Sequence, residues 1–357
     1  MVSAAELAVK NYTFVDYATQ AYMALVGLLI LCFHNQTVPN WPQLLGAHAA
    51  GLVLVHWLIQ VCARHTEESP ACTTPKAAAA SPSPLQKGSG PGRGVARGCL
   101  SRGLVSKSVK VLDFLRHFYP VLLYAAFFIE TGSLNRMFFT DYLDPLVAQW
   151  EQQLFGCQPS VLFMAKFPWL ALSELFYISY FCYYIMIAGV GLALFLRSRQ
   201  QFFHYVSVVS FLFYVCYLIY ILLPVIGSRA FFHQVDGYAL PAATQQLAVT
   251  DAYPAAVQTG VFFQIMKWVY RVFEAPGAAL PSSHVAVALC TLYFSFRYLR
   301  PIRYLHLFVV VLLCLATVYC RYHYVVDVLA GLLTAAVVIP IGNQLYFKFG
   351  QRDAAKQ

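Results

Sequence analysis

Charge is the scarcest property of this sequence. Only 11% of its 357 residues are Asp, Glu, Lys or Arg, and 60% are hydrophobic. A soluble chain of this size carries about twice that charge fraction, so a water-solvated globule is excluded. No Cys-x-x-Cys occurs among the ten cysteines, and Cys32, Cys62, Cys182, Cys216, Cys290 and Cys314 lie in or at the ends of apolar runs. There they serve as small packing groups, so neither a zinc site nor a disulfide framework is indicated. No metal-ligand cluster, metal or cofactor is expected. Nucleic-acid motifs are missing too, so the net charge of +9 is read first as a matter of membrane topology. The opening sixteen residues are polar and lack a short apolar core before a small-residue cleavage site, so no cleavable signal peptide is expected.

What the chain does have is apolar runs near the ~20 residues needed to cross a bilayer. Eight spans are expected, at 17–33, 43–62, 119–134, 173–196, 204–225, 281–296, 302–319 and 324–346. The predicted fold class is therefore all-α, a polytopic membrane helix bundle. The sequence divides into an N-terminal two-helix membrane unit (1–63), a basic Ala/Ser/Pro/Gly-rich linker expected to be disordered (64–108), a membrane domain (109–350) and a short tail (351–357). Residues 109–117 read as an amphipathic interfacial segment. Residues 135–159 read as an extramembrane loop with a surface helix. Pro168 is expected to split the long apolar stretch 161–196, and 226–280 reads as a long polar loop.

Eight spans put both termini on one side, together with 18 of the 24 basic residues. The positive-inside rule makes that side cytoplasmic. Arg136, Lys166, Arg229, Lys267, Arg271 and Arg321 fall toward the other side, as do His284 and His323 at the starts of two spans.

Those two histidines sit in the segments with chemical content. Pro281-Ser282-Ser283-His284 opens the sixth span, with Pro suited to a first helical turn and the serines able to donate hydroxyls. A helix N-terminus there favours an anion. Arg321-Tyr322-His323 precedes the eighth span, and Asp327 follows His323 by four residues, which stacks the pair on one helix face. A carboxylate so placed holds the imidazole in one tautomer and stabilises its cation. A carboxylate within an apolar span costs about 2.5–3.5 kcal/mol on insertion scales and is as a rule functional.

These segments resemble the type 2 phosphatidic acid phosphatase (PAP2) superfamily of membrane lipid phosphatases and phosphotransferases. That family carries Pro-Ser-Gly-His and, further on, an Arg and a His followed four residues later by Asp. The resemblance covers roughly the C-terminal two thirds of the chain and implies a six-helix core preceded here by two extra helices. It implies a membrane lipid as substrate and no metal. By resemblance, His323 attacks phosphorus to form a phosphohistidine, Asp327 orients it, and His284 protonates the leaving oxygen. Arg229, Ser282, Ser283 and Arg321 would bind the phosphate. The sequence departs from the pattern at Ser283 (usually Gly), at Thr317, where an Arg usually stands, and around Arg229, which has Leu222 seven before it and Ala230 after it. These departures resemble the branch with inositol phosphorylceramide synthases, which transfers a headgroup to a lipid alcohol. A lipid-binding or transport protein on the same scaffold is the reading from another class.

Other polar residues keep two readings. His48 and His56, eight apart, are either packed histidines or haem ligands. His34, His117, His204, His233 and His306 read as packing. Glu174 either contacts substrate or makes a helix-packing hydrogen bond, and Glu130 invites the same argument. Lys267 and Arg271, four apart, either hold a headgroup or face lipid phosphates.

Overall fold

In a computed structural model the described residues are 11–67, 98–233, 253–273 and 276–354. They form thirteen helices: α1 (Phe14–Phe33), α2 (Trp41–Glu67), α3 (Gly98–Leu134), α4 (Asp144–Phe155), α5 (Pro159–Lys166), α6 (Leu170–Arg197), α7 (Arg199–Leu222), α8 (Ser228–His233), α9 (Ala255–Gln258), α10 (Val261–Phe273), α11 (Ser283–Tyr298), α12 (Arg303–Tyr319) and α13 (Val325–Ala354). No strand occurs among the described residues. Six helices (α1, α2, α3, α6, α7 and α13) are long and apolar enough to cross a membrane, and α12 is a shorter apolar helix. The chain is a multi-pass helical bundle, because in hydrocarbon a helix satisfies its own backbone polar groups.

Local sequence sets the breaks. Pro168 stands between α5 and α6, as expected. The polar step Arg197-Ser198-Arg199 turns α6 into α7, with the Ser198 hydroxyl accepting from Gln201 N at 3.4 Å. Residues 109–117 and 119–134 do not separate, however. α3 runs continuously from Gly98 through Pro120, since a proline removes one backbone bond and apolar surroundings hold the rest. Of the expected linker, 68–97 lies outside the described residues; α2 and α3 reach into its two ends. The described parts of the expected polar loop 226–280 carry α8, α9 and α10, and 234–252 and 274–275 lie outside the described residues. The loop 135–159 does carry a surface helix: α4 exposes Leu146, Trp150 and Leu154 and buries its other face, Asp144, Val147, Ala148 and Glu151.

Contacts divide the chain into two units, one of Tyr12–Leu52 with Pro120 onward, the other centred on Val53–Tyr119. In the first, α11 lies in the middle and packs on α6, α7, α12 and α13. Its buried face alternates small and large side chains, Ala286, Ala288, Cys290, Thr291, Leu292 and Phe294. α1 joins this unit through α7: Thr19 Oγ1 lies 2.9 Å from the Tyr214 hydroxyl, and the Tyr22 ring stacks on Tyr214.

α13 comes close against α11. A Cβ on Gly331 would lie 2.6 Å from the Ser282 carbonyl oxygen and 3.1 Å from Val285 Cβ. Gly331→Ala is therefore expected to push the helices apart and destabilise the fold by about 1–3 kcal/mol, the range for overpacking. Gly189→Ala, where nothing lies within 4 Å, is expected to be neutral. Thermal melts of the two variants in detergent check the contrast; equal melting temperatures would refute it.

Candidate functional site

The site assembles where α12 gives way to α13. α12 stops because Arg321 adopts φ 64°, the left-handed region, which no helix continues. The Thr317 carbonyl then accepts from both Tyr322 N (3.1 Å) and His323 N (3.0 Å). This turn aims His323 back across the end of α12. α13 starts at Val325, and Asp327 in its first turn accepts from Tyr324 N at 2.9 Å, the reach-back of a capping box. The same carboxylate oxygen lies 3.3 Å from His323 Nδ1. The other oxygen is buried with no partner.

α11 meets this turn from the side. The Ser282 N–H donates to the Asp327 carbonyl at 3.0 Å, and His284 Nδ1 lies 3.3 Å from His323 Nε2. The two rings, 39 residues apart in sequence, have centroids 5.4 Å apart. His284 is held by aromatic faces: Tyr180 stacks on it at 4.8 Å and Tyr183 lies at 4.4 Å. The serines serve α11 itself. Ser282 Oγ caps Val285 N at 3.4 Å, and Ser283 N donates to the Tyr220 hydroxyl at 3.2 Å. The N-terminal donors of α11 are thus largely engaged within the fold.

Two guanidinium groups lie near this turn. Arg321 is buried, with its Cζ 5.2 Å from the Tyr253 ring centre and Nε without a hydrogen-bond partner. Arg229, on α8, lies 5.1 Å from the Tyr270 ring and 5.7 Å from that of Tyr322; these two rings stack at 4.1 Å. The Arg229 segment is tied in at Gly227 (φ 91°), where a Cβ would meet the Tyr322 carbonyl at 2.6 Å. Ser228 Oγ donates to the Arg321 carbonyl at 2.9 Å. Beside the histidines opens a cavity of about 490 Å³. His284, His323 and Ser283 line one part, and apolar and aromatic side chains such as Ala125, Phe128, Ile187 and Phe213 line the rest.

The residues missed from the sequence are those that brace this arrangement. On α4, Asp144 accepts from Ile226 N (2.8 Å), Gly227 N (3.0 Å) and the Tyr324 hydroxyl (3.1 Å). Glu151 accepts from Val326 N at 3.1 Å. One helix thus ties the Arg229 segment to the His323–Asp327 segment. The carboxylates are seven apart, on one face with Val147 and Ala148; that spacing was the available signal. Tyr180, Tyr183, Tyr270 and Tyr322 read in sequence as packing or belt residues. Glu174 accepts from Phe262 N and Phe263 N, capping α10. Glu130 pairs with His48 Nε2 at 2.8 Å, and His204 and His306 sit in side-chain hydrogen-bond networks. No group of three or more metal-ligating side chains occurs among the described residues.

Burial pushes both α4 carboxyls up to about 7, against the lowering effect of their donors. Each then binds its proton more tightly folded than unfolded. The folded state gains stability below the ordinary carboxyl range near 4 and loses it as pH rises through about 7. The melting temperature is expected to fall between about pH 5 and pH 8, and Asp144→Asn with Glu151→Gln to flatten that slope. A pH series of melts measures it; an unchanged slope in the double variant refutes it.

No curated protein and no solved structure matches the chain. A family does: residues 146–341 match the PAP2 superfamily, a stretch that holds Arg229, Ser282, Ser283, His284, Arg321, His323 and Asp327 and stops two residues short of Asp144. Covering more than half of the sequence, that match makes this chain a member of the PAP2 superfamily.

Proposed function

We propose that the protein is a membrane lipid phosphatase or phosphotransferase that works through a phosphohistidine at the extracytoplasmic face. The observation that carries this is His323 placed between Asp327 and His284 at the polar part of an otherwise apolar cavity. An amphiphile suits such a cavity, with its alkyl part against Phe128, Ile187 and Phe213 and its phosphate at the imidazoles.

The hydrogen bonds favour one proton arrangement. Asp327 accepts from Nδ1–H of His323, which leaves the lone pair on Nε2. That lone pair accepts from Nδ1–H of His284 (3.3 Å for each pair). The nucleophile is then deprotonated and the acid carries its proton. Nε2 of His323 forms a bond to phosphorus as the bond to the lipid oxygen breaks, and that oxygen takes the proton from His284. In the second half His284 takes a proton from water or an alcohol, whose oxygen displaces His323 from phosphorus. Arg321 and Arg229 stabilise charge on the equatorial oxygens. The excess of Lys and Arg on the side of both termini supports an outward-facing site.

Purified protein in mixed micelles with phosphatidic acid is expected to release inorganic phosphate. His323→Ala should abolish release, and His284→Ala should slow it by about 10²–10⁴, the span of general acid–base catalysis. Headgroup exchange between lipids without phosphate release would instead make a lipid alcohol the acceptor. Neither activity, with lipid composition in expressing cells unchanged by His284→Ala, would overturn the enzymatic reading in favour of lipid binding or transport.

A further inference from the structure

α10 carries more than the catalytic reading uses. Its inner face, Phe263, Met266 and Tyr270, packs toward α6 and the site. Its outer face has two stripes. Val261, Trp268 and Val272 are exposed apolar positions, with Trp268 60% exposed. Gln264, Lys267 and Arg271 form an exposed polar stripe beside them, and neither cation has an ion-pair partner among the described residues.

The depth of this helix follows from helix lengths. At 1.5 Å rise per residue, α11 (16 residues) and α12 (17 residues) span about 24–25 Å. Tyr180 to Arg197 along α6 spans about the same distance. α11 and α12 thus end at Ser283 and Tyr319, opposite Arg297 and Arg303, and Tyr180 stands a similar distance from Arg197 along α6, which continues ten residues further to Leu170. Tyr270 stacks on Tyr322 and meets the Tyr180 hydroxyl with its own. The C-terminal half of α10 therefore lies level with Tyr180 and Tyr322, close to where α11 begins and α12 ends.

We infer that the outer face of α10 binds an anionic phospholipid of the surrounding leaflet, distinct from any substrate in the cavity. Lys267 and Arg271 meet its phosphate, and Trp268 and Val272 meet its upper acyl chains. Apolar positions beside a basic stripe suit an amphipathic helix lying in an anionic interface. A neutral lipid offers the same acyl contact without the charge complement. The bound lipid also bears on the site, because the same helix supplies Tyr270 to the Arg229–Tyr322 stack and is pinned at its other end by Glu174. Only this last step rests on the proposed catalytic function; the binding does not.

The test is lipid retention by the full chain. Protein purified in detergent with equal phosphatidylglycerol and phosphatidylcholine of matched acyl chains is read by native mass spectrometry. At about fivefold per basic residue near a charged surface, wild type should favour phosphatidylglycerol by about 30-fold. Lys267→Gln with Arg271→Gln should bring the ratio near one, and Lys267→Arg with Arg271→Lys should preserve it. Equal retention of both lipids by wild type, or an undiminished preference in the double Gln variant, overturns the inference. His323→Ala should retain the preference; its loss there would place the lipid in the catalytic cavity and also overturn it. In vesicles, phosphate release should rise with phosphatidylglycerol content for wild type and not for the double Gln variant. No release at all, with lipid preference intact, would sink the catalytic proposal and leave this one standing.

Discussion

The arrangement depends on one close approach, the first turn of α13 against the first turn of α11. The Ser282 N–H meets the Asp327 carbonyl there, and Gly331 leaves the room for it. The intervening chain makes the approach achievable. α11 and α12 differ by one residue in length, so the path across the bundle and the path back cancel. A segment 39 residues downstream therefore emerges level with the segment it left. A difference of one turn, about 5.4 Å, would separate His323 from His284 by more than any hydrogen bond spans. Helix length, set by the bilayer, thus fixes the geometry of a polar site.

Two buried polar atoms of that site stand without a partner. Asp327 has one carboxylate oxygen shared between His323 and Tyr324 N and another with no partner, and Arg321 Nε is also orphaned. Buried polar groups are nearly all hydrogen-bonded in folded proteins, so two exceptions within six residues call for a ligand or a charge change. Asp144 on α4 forms a contrast. Asp144 takes three donors, two of them backbone, and holds segments in place.

How much of this was legible in the sequence follows from the range of each interaction. His323 and Asp327 were readable as a pair because they sit one helical turn apart. Their meeting with His284 was readable at the level of membrane side, from the arginines and lysines that collect opposite them. Asp144 and Glu151 were not. A carboxylate on an extramembrane helix looks solvated until its backbone donors are known, and Ile226, Gly227 and Val326 are 82, 83 and 175 residues away in sequence. The continuity of α3 through Pro120 was hidden because the amphipathic pattern of 109–117 reads as a separate interfacial segment. The serines of Pro-Ser-Ser-His have a structural role that the sequence did not show. Their hydroxyls and N–H groups looked available to an anion, yet the fold uses them to cap α11 and to join it to α7 and α13.

The contact between the two imidazoles constrains any reaction at this site. At 3.3 Å no phosphoryl group fits between His323 Nε2 and His284 Nδ1, so a substrate phosphate must take the place of that hydrogen bond. The two rings are not equally free to yield. His323 is fixed by its backbone bond to Thr317 and by Asp327. His284 is held on its faces by Tyr180 and Tyr183, contacts whose energy changes little as rings slide past each other. On the proposed mechanism the ring that yields is His284, which keeps the Nδ1 proton it donates in that hydrogen bond. On that reading the proton covers the nucleophile's lone pair before substrate binds and points at the leaving oxygen afterwards.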